Sequence, residues 1–201
     1  MITVHHLNQS RSTRVLWLLE ELETPYSVVK HERDPQTRLA PASLKAIHPL
    51  SKAPVIVDDN ITLCESGAVM EYILDKYADQ RLRPSTGDKE YYAYLEWLHF
   101  AEGSLALPVI STMLMGMEER GGKPLDGYIQ KELHLDFSYI EARLTEVEYF
   151  AGNSFSAADI MMSIVLSMAN NLSLLKAYPN TQAYLVRMQQ RAAFQRAAAY
   201  Q

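Results

Sequence analysis

Residues 2–30, ITVHHLNQSRSTRVLWLLEELETPYSVVK, place a helix between two strands at the start of the chain. Residues 2–7 and 26–30 are short segments rich in amino acids that favour β-structure. Between them, apolar residues recur at the i, i+3, i+4, i+7 spacing of an amphipathic helix: Val15, Leu18, Leu19 and Leu22. This order is typical of a sheet with helices packed against it.

The following residues continue the alternation of strands and helices. The predicted elements are a short helix at 43–47, strands at 54–57 and 61–64 that form a hairpin around Asp58-Asp59-Asn60, and a helix at 66–77. The resulting order, β-α-β-α-β-β-α, predicts a mixed sheet flanked by helices.

The second half of the chain carries a different pattern. Residues 81–88, RLRPSTGD, combine Pro, Ser, Thr and Gly and predict a linker. Strand signals are absent beyond it, and Pro108 is expected to kink the first of four predicted helices: 89–117, 125–147, 157–172 and 179–199. The sequence therefore predicts an α/β domain over residues 1–80 and an all-helical domain over residues 89–201.

Composition excludes several classes of partner. The 201 residues include 48% hydrophobic and 21% charged amino acids, and the formal net charge is −5 without a basic block. Nucleic acid and acidic membrane surfaces are therefore not expected partners, because both require a concentrated positive surface. The sequence has no uninterrupted apolar run of about 18 residues, so we expect no membrane helix.

Cysteine and histidine usage bounds the redox and metal chemistry. The single cysteine, Cys64, cannot form an internal disulfide, a CxxC pair or a thiolate metal cage. The six histidines show no pairing typical of metal ligands, so no metal site is expected. The N-terminus lacks the pattern of a signal peptide, and the expected location is the cytoplasm.

Four short motifs occur in a fixed order on the predicted elements. They are Ser10 four residues before Arg14, Ala53-Pro54 opening a strand, Glu65-Ser66 opening a helix, and Ser156-Ala157-Ala158-Asp159 opening another. With these motifs the chain resembles the cytosolic glutathione transferase family of the serine type, as found in bacteria and fungi, over essentially its whole length. The resemblance implies a thioredoxin-like N-terminal domain, an all-helical C-terminal domain and a homodimer. It also implies glutathione as co-substrate, without a prosthetic group.

Ala53-Pro54 is the first candidate for binding glutathione. Proline cannot donate a ladder hydrogen bond, so it belongs at the start or the edge of a strand. The resemblance implies a cis bond here and an extended peptide, the cysteinyl part of glutathione, pairing with the Ala53 backbone. The alternative is a proline that starts a strand and binds nothing.

Glu65-Ser66 is the second candidate. A helix N-terminus offers free N–H groups and partial positive charge, which suit a carboxylate. The resemblance implies that the γ-glutamyl carboxylate lies at Ser66 and the ligand's ammonium group near Glu65. The alternative is N-capping of the helix by Ser66, a contribution of roughly 1 kcal/mol.

Ser10 is the candidate for activating the thiol. The thiolate is the reactive form, and a hydroxyl hydrogen bond with a helix N-terminus can stabilise it. The resemblance gives Ser10 this role as a hydrogen-bond donor. Ser12 remains the alternative as donor or as helix cap.

Three further residues are weaker candidates for contacts with glutathione. The resemblance implies Lys52 or His48 for the glycyl carboxylate, with a solvated lysine and a packed loop histidine as the alternatives. Glu102 is a candidate for contact with the ammonium group of glutathione in a neighbouring subunit, and the alternative is an ordinary solvated glutamate.

Ser156 and Asp159 form a predicted capping box with a structural role only.

The resemblance implies a reaction between the glutathione thiolate and an electrophilic hydrophobic small molecule. The alternatives are a glutathione-dependent peroxidase, isomerase or dehalogenase that uses the same thiolate. A further alternative is a binding protein of this fold without chemistry.

Overall fold

The computed structural model describes residues 1–119 and 122–200. It divides the chain into two compact units. The first contains Met1–Leu82 and the chain from Gln190 onward, and the second contains Arg83–Gln189.

The first unit has the predicted order of elements. These are β1 (Ile2–Leu7), α1 (Thr13–Leu22), β2 (Tyr26–His31), α2 (Ala42–Ile47), β3 (Val55–Asp58), β4 (Ile61–Cys64) and α3 (Ser66–Tyr77). The strands form one sheet in the order β2-β1-β3-β4, in which β1 and β2 are parallel and the other pairs are antiparallel. This is the thioredoxin-like architecture, and the predicted mixed sheet is confirmed.

The register of the sheet brings three strand ends into one row. His5 of β1 pairs with Val55 of β3, and Val55 pairs with Cys64 of β4. Because β3 and β4 run antiparallel, the start of β3 lies beside the end of β4 and close to the end of β1. The segments that leave these three strand ends therefore meet at one edge of the sheet.

The apolar stripe of α1 explains how this helix packs. Its apolar residues Val15, Leu18, Leu19 and Leu22 are all buried, as their spacing predicted. Burial of each such side chain contributes about 1.5–3 kcal/mol, which offsets the entropy lost on ordering the helix.

The second unit is helical, as predicted. Its helices are α4 (Tyr91–Phe100), α5 (Ala106–Met115), α6 (Pro124–Glu146), α7 (Ala157–Asn171) and α8 (Pro179–Gln189). A π-helical segment, Ala101–Leu105, joins α4 to α5. The irregularity expected at Pro108 thus lies in the turn before it, because proline has no N–H to donate to the preceding turn.

The continuous helix Tyr91–Met115 is long and apolar enough to cross a membrane by length and composition alone, with a mean hydropathy of 1.3 over a window of 18 residues. Glu96, His99 and Glu102 interrupt its apolar run, and length and composition alone do not overturn the expectation of no membrane helix. Tyr94, Trp97 and Leu98 of this helix are buried in the second unit. Core helices of globular proteins pass the same test.

The last helix belongs to the first unit. Residues 179–199 do not form one helix, because the chain is extended at Arg191 before α9 (Ala192–Ala198) begins. Arg191 donates to both carboxylate oxygens of Glu21 on α1, over 2.6 and 2.9 Å. The rings of Phe194 and Trp17 meet edge to face at 4.9 Å. The predicted all-helical domain 89–201 is therefore corrected at its end.

The capping box of α7 is confirmed. The N–H and the hydroxyl of Ser156 both donate to one oxygen of Asp159, over 2.9 and 3.0 Å. The other oxygen accepts from the Phe150 N–H at 2.9 Å and from the Tyr184 hydroxyl at 2.8 Å. Asp159 is fully buried, so this carboxylate organises the interior of the second unit.

Candidate functional site

The predicted site residues fall on both units. Those of the first unit all lie in segments that leave the row of strand ends: Ser10, Ser12, His48, Lys52, Ala53, Pro54, Glu65 and Ser66. Glu102 lies in the π-helical segment of the second unit and is half-buried. The site described below is the part within the first unit.

The loop between β1 and α1 holds two serines in contact. Their Oγ atoms lie 2.7 Å apart, and the Ser12 N–H donates to Oγ of Ser10 over 3.2 Å. Ser12 is completely buried, whereas Ser10 is half-buried. Of the two hydroxyls, only that of Ser10 has access to a ligand.

Two residues of β1 contact the side chain of Ser12. The Leu7 N–H donates to its Oγ over 3.3 Å, and Nδ1 of His6 lies 2.9 Å from the same oxygen. Burial lowers the pKa of His6, the nearby Tyr200 main chain acts in the opposite direction, and Lys30 and His31 lower it further. His6 is therefore neutral near pH 7.

The segment after α2 carries His48 and Lys52. The Leu50 N–H donates to Nδ1 of His48 over 3.3 Å, so the proton of a neutral ring lies on Nε2. His48 is half-buried, and Lys52 is exposed. Leu44 fixes α2 to the sheet by packing against Leu7 and Val55.

The bond between Ala53 and Pro54 is cis. Pro54 is buried, and Ala53 is half-buried against the apolar cluster of Leu7, Leu44 and Val55. Because β3 begins at Val55, the Ala53 backbone lies just outside the sheet, at the row of strand ends.

Glu65 and Ser66 start α3 in an unusual backbone conformation. Glu65 is the N-cap residue with φ 73° and ψ 121°, a region that residues other than glycine rarely adopt. Its carbonyl accepts from the Val69 N–H at 2.9 Å, and its side chain is exposed. Such strained residues cluster at ligand sites.

Ser66 is not the cap of α3. It is the first helical residue, and its Oγ accepts from Nη1 of Arg14 over 3.3 Å. Arg14 is completely buried and Ser66 is 5% exposed. The alternative of N-capping by Ser66 is therefore wrong, because its oxygen faces a buried guanidinium instead of the first turn.

The single thiol of the chain lies next to this helix start. Cys64 is half-buried against the same apolar cluster as Ala53. Burial raises the pKa of its thiol, and the neighbouring Glu65 carboxylate raises it further. Near pH 7 Cys64 is therefore protonated and a weak nucleophile.

Three of these features escape sequence reasoning. They are the contact of His6 with Ser12, the contact of Arg14 with Ser66 and the positive φ of Glu65. The first two depend on the path of loops. Within the described ranges 1–119 and 122–200, no group of three or more potential metal-ligating side chains lies together.

Two family models match the chain. The N-terminal domain of glutathione S-transferase matches residues 1–75, and the C-terminal domain of the same family matches residues 104–192. The fold and these matches define a thioredoxin-like protein with a helical C-terminal domain.

Similar proteins agree with these matches. Glutathione S-transferase 3 of Schizosaccharomyces pombe is 36% identical over 178 residues, covering 81% of this chain and 72% of that protein. GstB of Escherichia coli K12 is 29% identical over 202 residues, covering 96% of this chain and 95% of the relative. A glutathione S-transferase structure from Actinobacillus pleuropneumoniae has a TM-score of 0.90 and 32% identity, and covers 99% of this chain and 92% of that one. The chain belongs to the glutathione S-transferase family, a family of transferase enzymes.

Proposed function

We propose that this protein binds glutathione in its first unit and transfers the glutathione thiolate to electrophilic hydrophobic small molecules. The observation that carries the proposal is the meeting of Ser10, Ala53 and Ser66 at one row of strand ends. A related structure supports the ligand, since a sphingomonad glutathione S-transferase with the same fold was solved in complex with glutathione.

The start of α3 supports a site for the γ-glutamyl end of glutathione. Its first N–H groups have no partner within the helix and favour negative charge. The Arg14 donor occupies a lone pair of Ser66 Oγ, so the hydroxyl proton of Ser66 is available to the ligand carboxylate. The exposed Glu65 carboxylate suits the ammonium group of the same residue.

The middle and the glycyl end of the tripeptide have matching groups nearby. The Ala53 backbone beside β3 suits the cysteinyl peptide group as an added strand. Beyond it, Lys52 supplies a positive charge for the glycyl carboxylate. His48 can add a second donor through Nε2–H, because its Nδ1 already accepts from Leu50.

Ser10 donates to the sulfur in this arrangement. A free thiol has a pKa of about 8.5, and lowering it by about two units takes roughly 2.7 kcal/mol of preference for the thiolate. A charge-assisted hydrogen bond from Ser10 and the partial positive charge at the N-terminus of α1 can together supply a free energy of this size. Burial of Ser12 favours Ser10 over Ser12 for direct contact with the sulfur.

Apolar side chains exposed on the second unit support two further parts of the proposal. They include Leu107, Met113, Leu114, Met117, Leu125 and Tyr128. Exposed apolar side chains of this kind suit contact with a hydrophobic electrophile or with a second copy of the chain. We infer a homodimer that acts in detoxification in the cytoplasm, and analytical ultracentrifugation tests the dimer. Glu102 remains a candidate for contact with glutathione of the partner subunit.

Calorimetry with reduced glutathione, followed by a turnover panel, tests the proposal. The panel contains an aryl halide, a peroxide, an isomerisable substrate and a halogenated alkane. We expect binding, conjugation of the aryl halide, and a loss of about 100-fold in turnover for Ser10→Ala. Ser27→Ala is the matched control, because its hydroxyl pairs with Thr3 on β1, away from the strand ends.

Each other outcome has a defined meaning. Turnover of only the peroxide, isomerisable or halogenated substrate identifies the corresponding alternative reaction. Binding without turnover identifies a binding protein. The absence of heat with glutathione contradicts the proposal as a whole.

A further inference from the structure

A chain of hydrogen bonds leads from the sheet to Ser10. Nδ1 of His6 lies 2.9 Å from Oγ of Ser12, which lies 2.7 Å from Oγ of Ser10. His6 is on β1 and is 1% exposed, and Ser12 is inaccessible to solvent. Only the Ser10 end of the chain can touch a ligand.

The direction of this chain decides what Ser10 can do. Each hydroxyl has one proton, so only one proton lies between the two Oγ atoms. If Ser10 donates to Ser12, its proton is not available to a sulfur atom. If Ser12 donates to Ser10, the Ser10 proton is free for the ligand, and the Ser10 oxygen is polarised by two donors, the N–H and O–H of Ser12.

The protonation of His6 sets this direction. When Nδ1 carries the proton, it donates to Ser12, and the Ser12 proton can point toward Ser10. When Nδ1 is bare, it competes with Ser10 for the Ser12 proton. The Leu7 N–H donates to the Ser12 oxygen in both arrangements. The Leu7 carbonyl is a second acceptor for the Ser12 proton, but it is more distant, at 3.4 Å against 2.7 Å for Oγ of Ser10.

The surroundings of the ring favour a proton on Nδ1. Among the residues the structure describes, Nε2 of His6 is buried and forms no well-aligned hydrogen bond, although the Tyr200 main chain lies near the ring and raises its pKa. A buried N–H without an acceptor costs about 1–3 kcal/mol. On Nδ1 the proton meets Ser12 at 2.9 Å instead. The ring thus avoids an unmet donor by protonating the nitrogen that faces the serines.

We propose that His6 is a positioning residue for the thiolate site, which directs the Ser12 proton to Ser10 and so leaves the Ser10 proton for the sulfur. This inference rests on the proposed function. His6 does not touch the ligand and transfers no proton. Its low pKa, caused mainly by burial, keeps the ring neutral with a single N–H.

Variants of His6 and Ser12 test the inference through the pKa of the bound glutathione thiol, measured by the ultraviolet absorbance of the thiolate. His6→Leu removes the donor, and we expect about a tenfold rise in the proton affinity of the bound thiol, seen as a higher pKa. His6→Asn has nearly the same shape and an amide donor, and it should restore most of the effect. Ser12→Ala removes little volume, so it tests the chain even if His6→Leu does not fold.

Comparing the single variants with the double variant shows whether His6 and Ser12 act through the same series of hydrogen bonds. His6→Leu combined with Ser12→Ala should have no larger effect than Ser12→Ala alone, because both changes interrupt one path. His5→Asn is the matched control on the same strand, since His5 contacts His31 and not Ser12. It should leave the pKa of the bound thiol unchanged.

Two results would overturn the inference. One is a folded His6→Leu variant that binds glutathione with a wild-type thiol pKa. The other is a double variant whose effect equals the product of the single effects. Failure of the proposed function looks different, because then the wild-type protein itself does not lower the pKa of the glutathione thiol.

Discussion

Nη1 of Arg14 and Oγ of Ser66 lie 3.3 Å apart, although 52 residues separate them in the chain. The guanidinium of Arg14 is completely inaccessible to solvent, and it anchors the first residue of α3 to α1. This contact fixes the Ser66 hydroxyl at a helix start whose free N–H groups suit an anion.

Replacement of Ser66 should weaken both glutathione binding and the fold, because its oxygen accepts from the buried Arg14 and its proton is free for the ligand. Ser66→Ala removes a hydrogen bond to a charged group, which contributes about 1.5–3 kcal/mol, so the dissociation constant should rise by at least about tenfold. Calorimetry measures the change. Ser66→Thr keeps the hydroxyl and serves as control. Equal affinities of the alanine variant and the wild type would show that the ligand carboxylate lies elsewhere.

Stability should fall as the pH drops below about 6.5. Nδ1 of His5 and Nε2 of His31 share one hydrogen bond at 3.0 Å, which requires that one of them is bare. Burial lowers the pKa of both rings from 6.5, and the charge of His31 lowers that of His5 further. The unfolded chain therefore binds more protons than the folded one as the pH falls below 6.5. The free energy of unfolding that the neutral histidine pair contributes above this pH is lost on acidification.

Urea unfolding at about pH 7.5 and about pH 5.5 measures this dependence. The matched variant is His5→Asn, which removes one of the two rings. Its stability should depend less on pH than that of the wild type over the same interval. An identical pH dependence in both proteins would contradict a role for this pair.

Loss of Asp159 should destabilise the second unit strongly. Asp159→Ala leaves the N–H groups of Phe150 and Ser156 and the Tyr184 hydroxyl without their acceptor in the interior. We expect a loss of about 3–5 kcal/mol in the free energy of unfolding. Tyr184→Phe removes a single donor and should cost only about 1 kcal/mol. Denaturant titration followed by circular dichroism distinguishes the two, and similar losses would refute a shared role of the carboxylate.

The ion pair of Arg191 and Glu21 should couple α9 to α1. It is bidentate and largely shielded, with side chains that are 28% and 11% exposed. A double-mutant cycle with Arg191→Ala and Glu21→Ala should give a coupling energy of roughly 1 kcal/mol. Trp17 donates to the same carboxylate at 2.9 Å, so its fluorescence reports the change. Arg191→Lys retains charge without the paired geometry, and a coupling near zero would mean that packing alone holds α9.

Sequence reasoning succeeds where the decisive interactions are local. The apolar stripe of α1 is buried as its spacing predicts, although Thr13, Arg14, Leu16 and Trp17 outside the stripe are buried too. The Ser156–Asp159 box acts across a single helical turn. The order of strands and helices follows from such short-range patterns, and with it the position of the candidate site at the strand ends. The cis bond at Ala53-Pro54 was expected from the family resemblance, since the residues themselves permit both isomers.

Sequence reasoning fails where two residues in contact are far apart in the sequence, or where a backbone angle is unusual for its residue type. Glu21 meets Arg191 across 170 residues, so the location of α9 has no local signal. His6 reaches Ser12 only because the loop after β1 turns back on the strand. Nothing in the amino acid type of Glu65 announces its positive φ, because glutamate normally avoids that region.

The first unit is assembled from two segments that are far apart in the sequence, Met1–Leu82 and the residues from Gln190 onward. During synthesis, the sheet and α1 leave the ribosome long before the segment that completes them. Trp17 and Glu21 therefore lack their contacts with Phe194 and Arg191 until the ribosome has synthesised those residues. The half that carries the candidate site therefore cannot be completed until residues from Gln190 onward have been synthesised, well after its own sheet.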